Sequence, residues 1–120
     1  MERCFDVQSP IDFNKIKTIF GNVENLAKLM HDFMESLTID KHFLEKAYFL
    51  GDWALIEKIA HRIRGGAVYF GAVFLEDACK ELEHCLLGFN DKNKDNLYVK
   101  TISAIVVVED YVWRYLSSPA

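Results

Sequence analysis

The sequence predicts an all-α protein, an antiparallel four-helix bundle with one or two additional N-terminal helices. Both prolines, Pro10 and Pro119, lie near the ends, so the strongest helix breaker is absent from the whole interval between them. Apolar residues recur there at three- and four-residue intervals, the spacing of an amphipathic helix. At 120 residues and 51% hydrophobic content, the chain fits one packed domain. We therefore expect a single domain over residues 1–120, with the bundle core at about 38–116.

The N-terminal part predicts two helices. A short amphipathic helix over Ile11 to Phe20 ends at Gly21-Asn22, because glycine accepts the left-handed conformation at a helix end. Asn22 is a candidate cap for the next helix. From Val23 onward, one stripe carries four apolar residues at helical spacing, Leu26, Met30, Phe33 and Leu37.

Four further helices form the predicted bundle. Thr38 is the candidate cap of the first, which closes at Gly51-Asp52, and Asp52 is the candidate cap of the second. Short connections between amphipathic helices favour antiparallel neighbours. The β-branched run 105–108 leaves a buried strand as an alternative for the last segment, but its length favours a helix. The four predicted helices carry the apolar stripes Ile39 to Leu50, Trp53 to Gly71, Leu75 to Phe89 and Tyr98 to Leu116. The polar segment Asn90 to Asn96 is the predicted loop between the last two.

Composition excludes several classes of function. The 14 Lys and Arg residues against 18 Asp and Glu give a net charge of −4, which disfavours a nucleic-acid partner. No apolar stretch approaches the roughly 20 residues that cross a bilayer, and Met1 to Asp6 lacks the apolar region of a secretory signal. We therefore expect a cytoplasmic protein with no membrane contact. Cys4, Cys79 and Cys85 are widely spaced without a CxxC pair, so they indicate reduced packing residues rather than disulfides or a zinc site.

The candidate site is centred on His61. On a helix turning ~100° per residue, His61 lies ~145° from the centre of the apolar stripe and should face solvent. His31, His42 and His84 are interpreted as ordinary surface or boundary residues.

Gly65 follows His61 by one helical turn on the same face, with Gly66 beside it. A glycine in a helix interior costs about 1 kcal/mol relative to alanine, so this pair needs a reason. Either the helix ends or kinks at Gly65-Gly66, or the missing side chain clears room for a partner to approach the imidazole.

The surroundings of His61 fit an exposed nucleophile. A neutral imidazole needs no dedicated base, only an electrophile brought to it. Lys58, Arg62 and Arg64 outnumber Glu57 around it, which predicts a positive patch for an anionic group, with Arg64 reaching into the clearing at Gly65. We expect Val68 and Tyr69, about two turns on, to add an apolar docking patch.

One stretch combines His61 with small and apolar residues at fixed spacing. It reads Ala60-His61-x-Ile63-Arg64-Gly65-Gly66-Ala67-x-x-Phe70-Gly71-Ala72 and is followed by Leu75, Cys79, Leu82 and Glu83. This pattern resembles the signature of histidine-containing phosphotransfer (HPt) domains, which carry alanine-histidine, an apolar residue, a basic residue, glycine, two small residues and then glycine again. The similarity runs from about Asp12 to Leu116.

The resemblance implies a four-helix bundle that accepts a phosphoryl group on His61 from a receiver domain's phospho-aspartate and passes it to another receiver's aspartate. Arg64 would match the family's usual lysine that steadies the phosphoryl oxygens, although arginine changes the reach and donor geometry. Gly65 would match the glycine that clears room. The implied partners are receiver domains of response regulators or hybrid histidine kinases, with Mg²⁺ held by the receiver and no cofactor or metal held by this chain. We expect a monomer.

Three other classes of protein share parts of the pattern. Gly66 and Gly71 have the spacing of a P-loop's glycines, but Ala72-Val73 follows where lysine and serine or threonine belong, so no ATP-dependent kinase activity is expected. Glu81 and His84 form one Glu-x-x-His pair, whereas a di-metal bundle needs two pairs and further inward glutamates. The alternative that stays open is a non-catalytic helical adaptor that binds a partner through the 61–69 face.

Overall fold

The computed structural model describes residues 9–21, 25–88 and 93–117, which form five helices and no strand. The all-α prediction is confirmed, and the last segment is a helix rather than a strand. No helix in these ranges combines the length and apolarity needed to span a membrane. The helices are α1 (Phe13–Phe20), α2 (Leu26–Leu50), α3 (Trp53–Tyr69), α4 (Val73–Leu87) and α5 (Lys94–Ser117). Several residues used in the predictions above lie outside the described ranges, namely Met1 to Asp6 with Cys4, Asn22, Val23, Phe89, Asn90 and Pro119.

Helices α2 to α5 make the four-helix bundle, and α1 packs against α3. In the bundle α3 contacts α2 and α4, while α5 closes the other side by contacting the same two helices. The connections α2–α3 and α3–α4 are only a few residues long, so these neighbours run antiparallel. The core is one cluster of mostly aliphatic side chains drawn from all five helices. Burial of these stripes is what holds the bundle together.

The helix ends follow the predicted capping chemistry at the α2–α3 turn. Gly51 adopts the left-handed conformation, with φ 70°, and its N–H donates to the last carbonyls of α2. The Asp52 side chain then accepts from the backbone N–H of Leu55 at 3.1 Å and caps α3. Nearer the start of the chain, Asp12 caps α1 and Asn25 caps α2.

The predicted helix boundary at Thr38 is wrong, because α2 runs through it without a break. The Thr38 hydroxyl donates to Oε2 of Glu109 on α5 at 2.7 Å, and Lys41 Nζ donates to Oε1 of the same carboxylate at 2.7 Å. The Thr38 hydroxyl is therefore engaged in a hydrogen bond between α2 and α5 and does not cap a helix. Met30 and Met34 are fully buried, so the core extends N-terminal to residue 38.

A close approach at the end of α3 positions α1. Gly71 has φ +62°, and a Cβ on it would lie 2.5 Å from the Cβ of Asp12. The Asp12 N–H donates to the carbonyl of Phe70 at 3.1 Å, so the segment before α1 is hydrogen-bonded to the α3–α4 connection. Only glycine provides both the backbone conformation and the space here. Phe20 at the end of α1 consequently lies beside Tyr69, with ring centroids 6.1 Å apart.

Candidate functional site

His61 lies on the outer face of α3. The inner face of that helix buries five residues at helical spacing, Ile56, Ile59, Ala60, Ile63 and Ala67. This buried stripe turns the imidazole outward, and 66% of the His61 side chain is exposed. The predicted exposure of His61 is confirmed.

A buried carboxylate on α4 holds one of the ring nitrogens. Nδ1 of His61 lies 2.7 Å from Oε1 of Glu83, whose side chain is only 8% exposed. A carboxylate is an acceptor only, so the proton of the neutral imidazole resides on Nδ1 and is donated to Glu83. The lone pair is then on Nε2. Glu83 thus fixes the orientation of the ring and leaves the lone pair on Nε2.

Arg64 shares this carboxylate. Its Nε donates to Oε2 of Glu83 at 2.5 Å, and its Nη2 lies 3.2 Å from Nδ1 of His61. The hydrogen bond to Glu83, reinforced by charge attraction, raises the pKa of Arg64 above its usual value. The sequence predicted that Arg64 reaches into the clearing at Gly65, but its guanidinium is bound to Glu83 instead. It remains in contact with the ring.

The two glycines after His61 have different surroundings. Helix α3 continues to Tyr69, so neither a helix end nor a break explains the pair. A Cβ on Gly65 would meet no atom within 4 Å, which leaves open space one turn from the imidazole. A Cβ on Gly66 would lie 3.5 Å from the ring of Phe33, which itself stacks on Phe70. Gly65 therefore borders the site, whereas Gly66 faces the α2 interface.

The predicted positive patch is largely neutralised by tertiary contacts. Arg62 Nη2 donates to Oδ1 of Asp40 on α2 at 2.6 Å, and the Asp40 side chain is 8% exposed. That hydrogen bond, with the charge attraction, raises the pKa of Arg62. Since Arg64 is paired with Glu83, Lys58 is the one of the three predicted cations for which no ion pair is found among the described residues. Asp40 and Glu83 therefore balance most of the positive charge that the sequence predicts around His61.

Tyr69 and Val68 lie toward the C-terminal end of α3. Tyr69 is 51% exposed and pairs with Phe20, which is 43% exposed, while Val68 is half-buried. The structure therefore brings Tyr69 together with a residue of α1 that the sequence pattern did not point to. These side chains form an apolar patch about two helical turns beyond His61.

The sequence pattern assigned no role to Glu83 or Asp40, the two buried acids of the site. A signal for both was present. Asp40 lies between Leu37 and Leu44 on the buried stripe of α2, and Glu83 follows Cys79 by one turn on that of α4. An acid on an apolar stripe requires a hydrogen-bonding partner. Periodicity shows that requirement but does not identify the partner.

Within the described ranges, one trio of side chains could share a metal ion, His31, Asp32 and Glu35, but all three are exposed and Asp32 pairs with Lys28.

The two cysteines that the structure describes, Cys79 and Cys85, carry thiols. Burial, with a smaller contribution from the nearby Glu83 carboxylate, raises the pKa of Cys79 to about 12. At neutral pH that thiol stays protonated and unreactive.

Comparison of the sequence with known protein families gives a match, to a helical domain that contains His61. The sequence profile of the Hpt domain matches residues 28–105, which include α3, α4 and most of α2. Searches of curated proteins and of solved structures gave no match. The match covers more than half of the chain and contains His61, Arg64, Gly65 and Glu83. The chain therefore belongs to the Hpt domain family, whose general role is phosphotransfer in two-component signalling.

Proposed function

We propose that this chain is a phosphorelay intermediate that accepts a phosphoryl group on Nε2 of His61 from a receiver domain's phospho-aspartate and transfers it to the aspartate of another receiver. The observation that carries the proposal is the arrangement of His61. Its ring is two-thirds exposed, and its Nδ1 is bound 2.7 Å from the buried carboxylate of Glu83. The reactive nitrogen is thus defined and accessible.

Phosphoryl transfer from the receiver's aspartate to His61 requires no proton transfer. The Nε2 lone pair of His61 attacks phosphorus, the bond from phosphorus to the aspartyl oxygen breaks, and its electron pair leaves with the receiver's carboxylate. Nδ1 keeps its proton, so the ring becomes a cationic phosphoimidazolium beside the Glu83 carboxylate. That negative charge favours the product ring over the free acyl phosphate. Transfer to the second receiver is the reverse step. The receiver's Mg²⁺ supplies neutralisation of the phosphoryl charge.

Two neighbours of His61 receive roles in the transfer. Gly65 leaves the space in which the receiver and the phosphoryl group approach the ring, since nothing lies within 4 Å of a Cβ built there. Arg64, a third exposed and 3.2 Å from Nδ1, stabilises the phosphoryl oxygens by turning part of its guanidinium away from Glu83.

Four further residues of α3, together with Phe20 of α1, form the proposed docking surface around His61. Lys58 and Arg62 border it on the α2 side, and Val68 and Tyr69 extend it toward α1. Tyr69 and Phe20 supply its apolar part, which suits an interface with an apolar centre and a charged rim. We further propose that the protein acts in the cytoplasm. We also propose that it acts as a monomer, in which each transfer partner reaches the same His61 in turn.

The experiment that tests the function starts from a receiver domain loaded with acetyl phosphate. Incubation with this protein should produce an acid-labile, base-stable adduct that is absent from the His61→Gln variant. Addition of a second receiver should remove the adduct from the wild-type protein. Receiver binding that survives His61→Gln, with no adduct on the wild type, would instead identify a non-catalytic adaptor. The matched control is His84→Gln, which changes another exposed histidine and should leave the adduct intact.

A further inference from the structure

A second surface feature lies where α2 turns into α3. Four residues of α2 and one of α3 line a shallow cleft of about 190 Å³, which we call the α2–α3 cleft: Phe43, Lys46, Ala47, Leu50 and Leu55. Ala47 is buried, whereas Phe43, Leu50 and Leu55 are 45%, 66% and 39% exposed. Single exposed apolar residues are ordinary, but a contiguous set of them indicates an interaction surface.

The apolar surface continues along one side of α2. Ile39, which is 53% exposed, precedes Phe43 by one turn, and Leu50 follows Phe43 by two turns. Phe49 is the most exposed apolar residue of the helix, at 87%, yet it does not line the cleft. Exposed apolar residues therefore extend beyond the cleft at this end of α2, and Phe49 offers a control position outside it.

The cleft lies within reach of any protein that contacts His61. Leu55 precedes His61 by six residues, which is about 9 Å along the helix axis. A standard interface covers about 800 Å² on each partner, equivalent to a disc of roughly 16 Å radius. Leu55 also lies ~120° around the helix from His61, on the side that faces α2, so an interface of this size centred on His61 is wide enough to include the cleft when it extends over α2.

The two sides of His61 offer different chemistry. Toward α4 lie the charged groups Arg64 and Glu83, whose hydrogen bonds are already made to each other and to the ring. Toward α2 the Arg62–Asp40 pair is likewise satisfied, and beyond it the surface is apolar with two lysines, Lys46 and Lys58. An apolar partner group gains most by burial on this second side.

We propose that the α2–α3 cleft is a specificity contact for the receiver domain, in which it takes an apolar receiver side chain flanked by a carboxylate facing Lys46 and Lys58. This inference rests on the phosphotransfer proposed above. It adds to that proposal the location of receiver specificity, which is the α2 side of His61. Loss of the contact weakens docking without changing the chemistry at Nε2.

The test separates docking from chemistry. The protein is phosphorylated chemically with phosphoramidate, and transfer is timed against rising concentrations of whichever receiver takes the phosphoryl group fastest. Leu55→Glu and Phe43→Ser should each raise the half-saturating receiver concentration about tenfold. The maximal transfer rate and the half-life of the phosphohistidine should stay unchanged. Phe49→Ala, an exposed aromatic truncation outside the cleft, should behave as the wild type.

Three results would overturn the assignment. The first is an unchanged half-saturating concentration in Leu55→Glu and Phe43→Ser, with helicity intact. The second is an equal effect of Phe49→Ala. The third is a wild-type dimer in sedimentation that Leu55→Glu dissociates without altering receiver saturation, which would make the cleft a contact between copies. Failure of the wild type to transfer at all refutes the phosphorelay role itself, and is seen before any cleft variant is compared.

Discussion

Replacing Glu83 with glutamine tests whether the buried carboxylate sets the reactivity of His61. The substitution keeps the side-chain shape and an oxygen that can accept from Nδ1, but removes the negative charge 2.7 Å from the ring. The wild-type arrangement favours the Nδ1–H tautomer and offsets the positive charge that develops when Nε2 is phosphorylated. We expect Glu83→Gln to slow transfer from a receiver onto His61, because the phosphorylated ring loses the charge that stabilises it, and not to slow transfer away from His61.

The magnitude follows from the geometry. A hydrogen bond to a charged group contributes about 1.5–3 kcal/mol. The His61 side chain is 66% exposed, so water replaces part of the interaction and the lower end of that range applies. About 1.5 kcal/mol corresponds to a roughly tenfold lower maximal rate of transfer onto His61.

The assay is single-turnover transfer from a phosphorylated receiver onto this protein, with Glu81→Gln as the matched control. Glu81 lies on the same helix, is exposed, and pairs with Lys100 instead of His61. Nitrogen NMR of the imidazole provides a second measurement, the population of the two ring tautomers. The Nε2–H tautomer should gain population in Glu83→Gln, whereas the populations would stay unchanged if Glu83 had only a structural role. A transfer rate within about twofold of the wild type, with an unchanged tautomer, would refute the assignment of Glu83.

Four other changes have defined outcomes. Gly65→Leu should block transfer and leave thermal stability equal or higher, because a Cβ there meets nothing and glycine disfavours helix by about 1 kcal/mol; undiminished transfer would contradict the access argument. Arg64→Ala should slow transfer or shorten the phosphohistidine half-life without abolishing either, and identical kinetics would remove Arg64 from the mechanism. Gly71→Ala should lower the free energy of unfolding in urea by about 2 kcal/mol, since its φ is +62° and its Cβ would collide with Asp12; wild-type stability would refute that contact. The Cys79 thiol, with its pKa raised by burial to about 12, contributes stability that is complete below the pKa of an unfolded thiol, near 9, and is lost as pH rises toward 12. Unfolding free energy should therefore fall by about 1.4 kcal/mol per pH unit more steeply in that window than in Cys79→Ala, and parallel pH profiles would count against it.

Local patterns predicted most of the helical architecture. The Gly51-Asp52 turn was correct because the cap and the left-handed glycine act within a few residues of chain. The predicted break at Thr38 failed because a residue with good capping chemistry can also bond across the bundle, here to Glu109, which is 71 positions away. Capping propensity amounts to about 1 kcal/mol, and continuous burial of Met34, Leu37 and Leu44 along α2 outweighs it.

The sequence by itself determined that His61 is exposed and that Gly65 stands one turn beyond it, because both follow from the 3.6-residue period of a single helix. Only the tertiary structure decided which groups surround the imidazole. Glu83 and Asp40 reach the site from α4 and α2, and they turn the expected cationic patch into two satisfied ion pairs. Such contacts depend on how helices pack side by side, and the spacing of residues along one helix carries no information about which face of another will meet it.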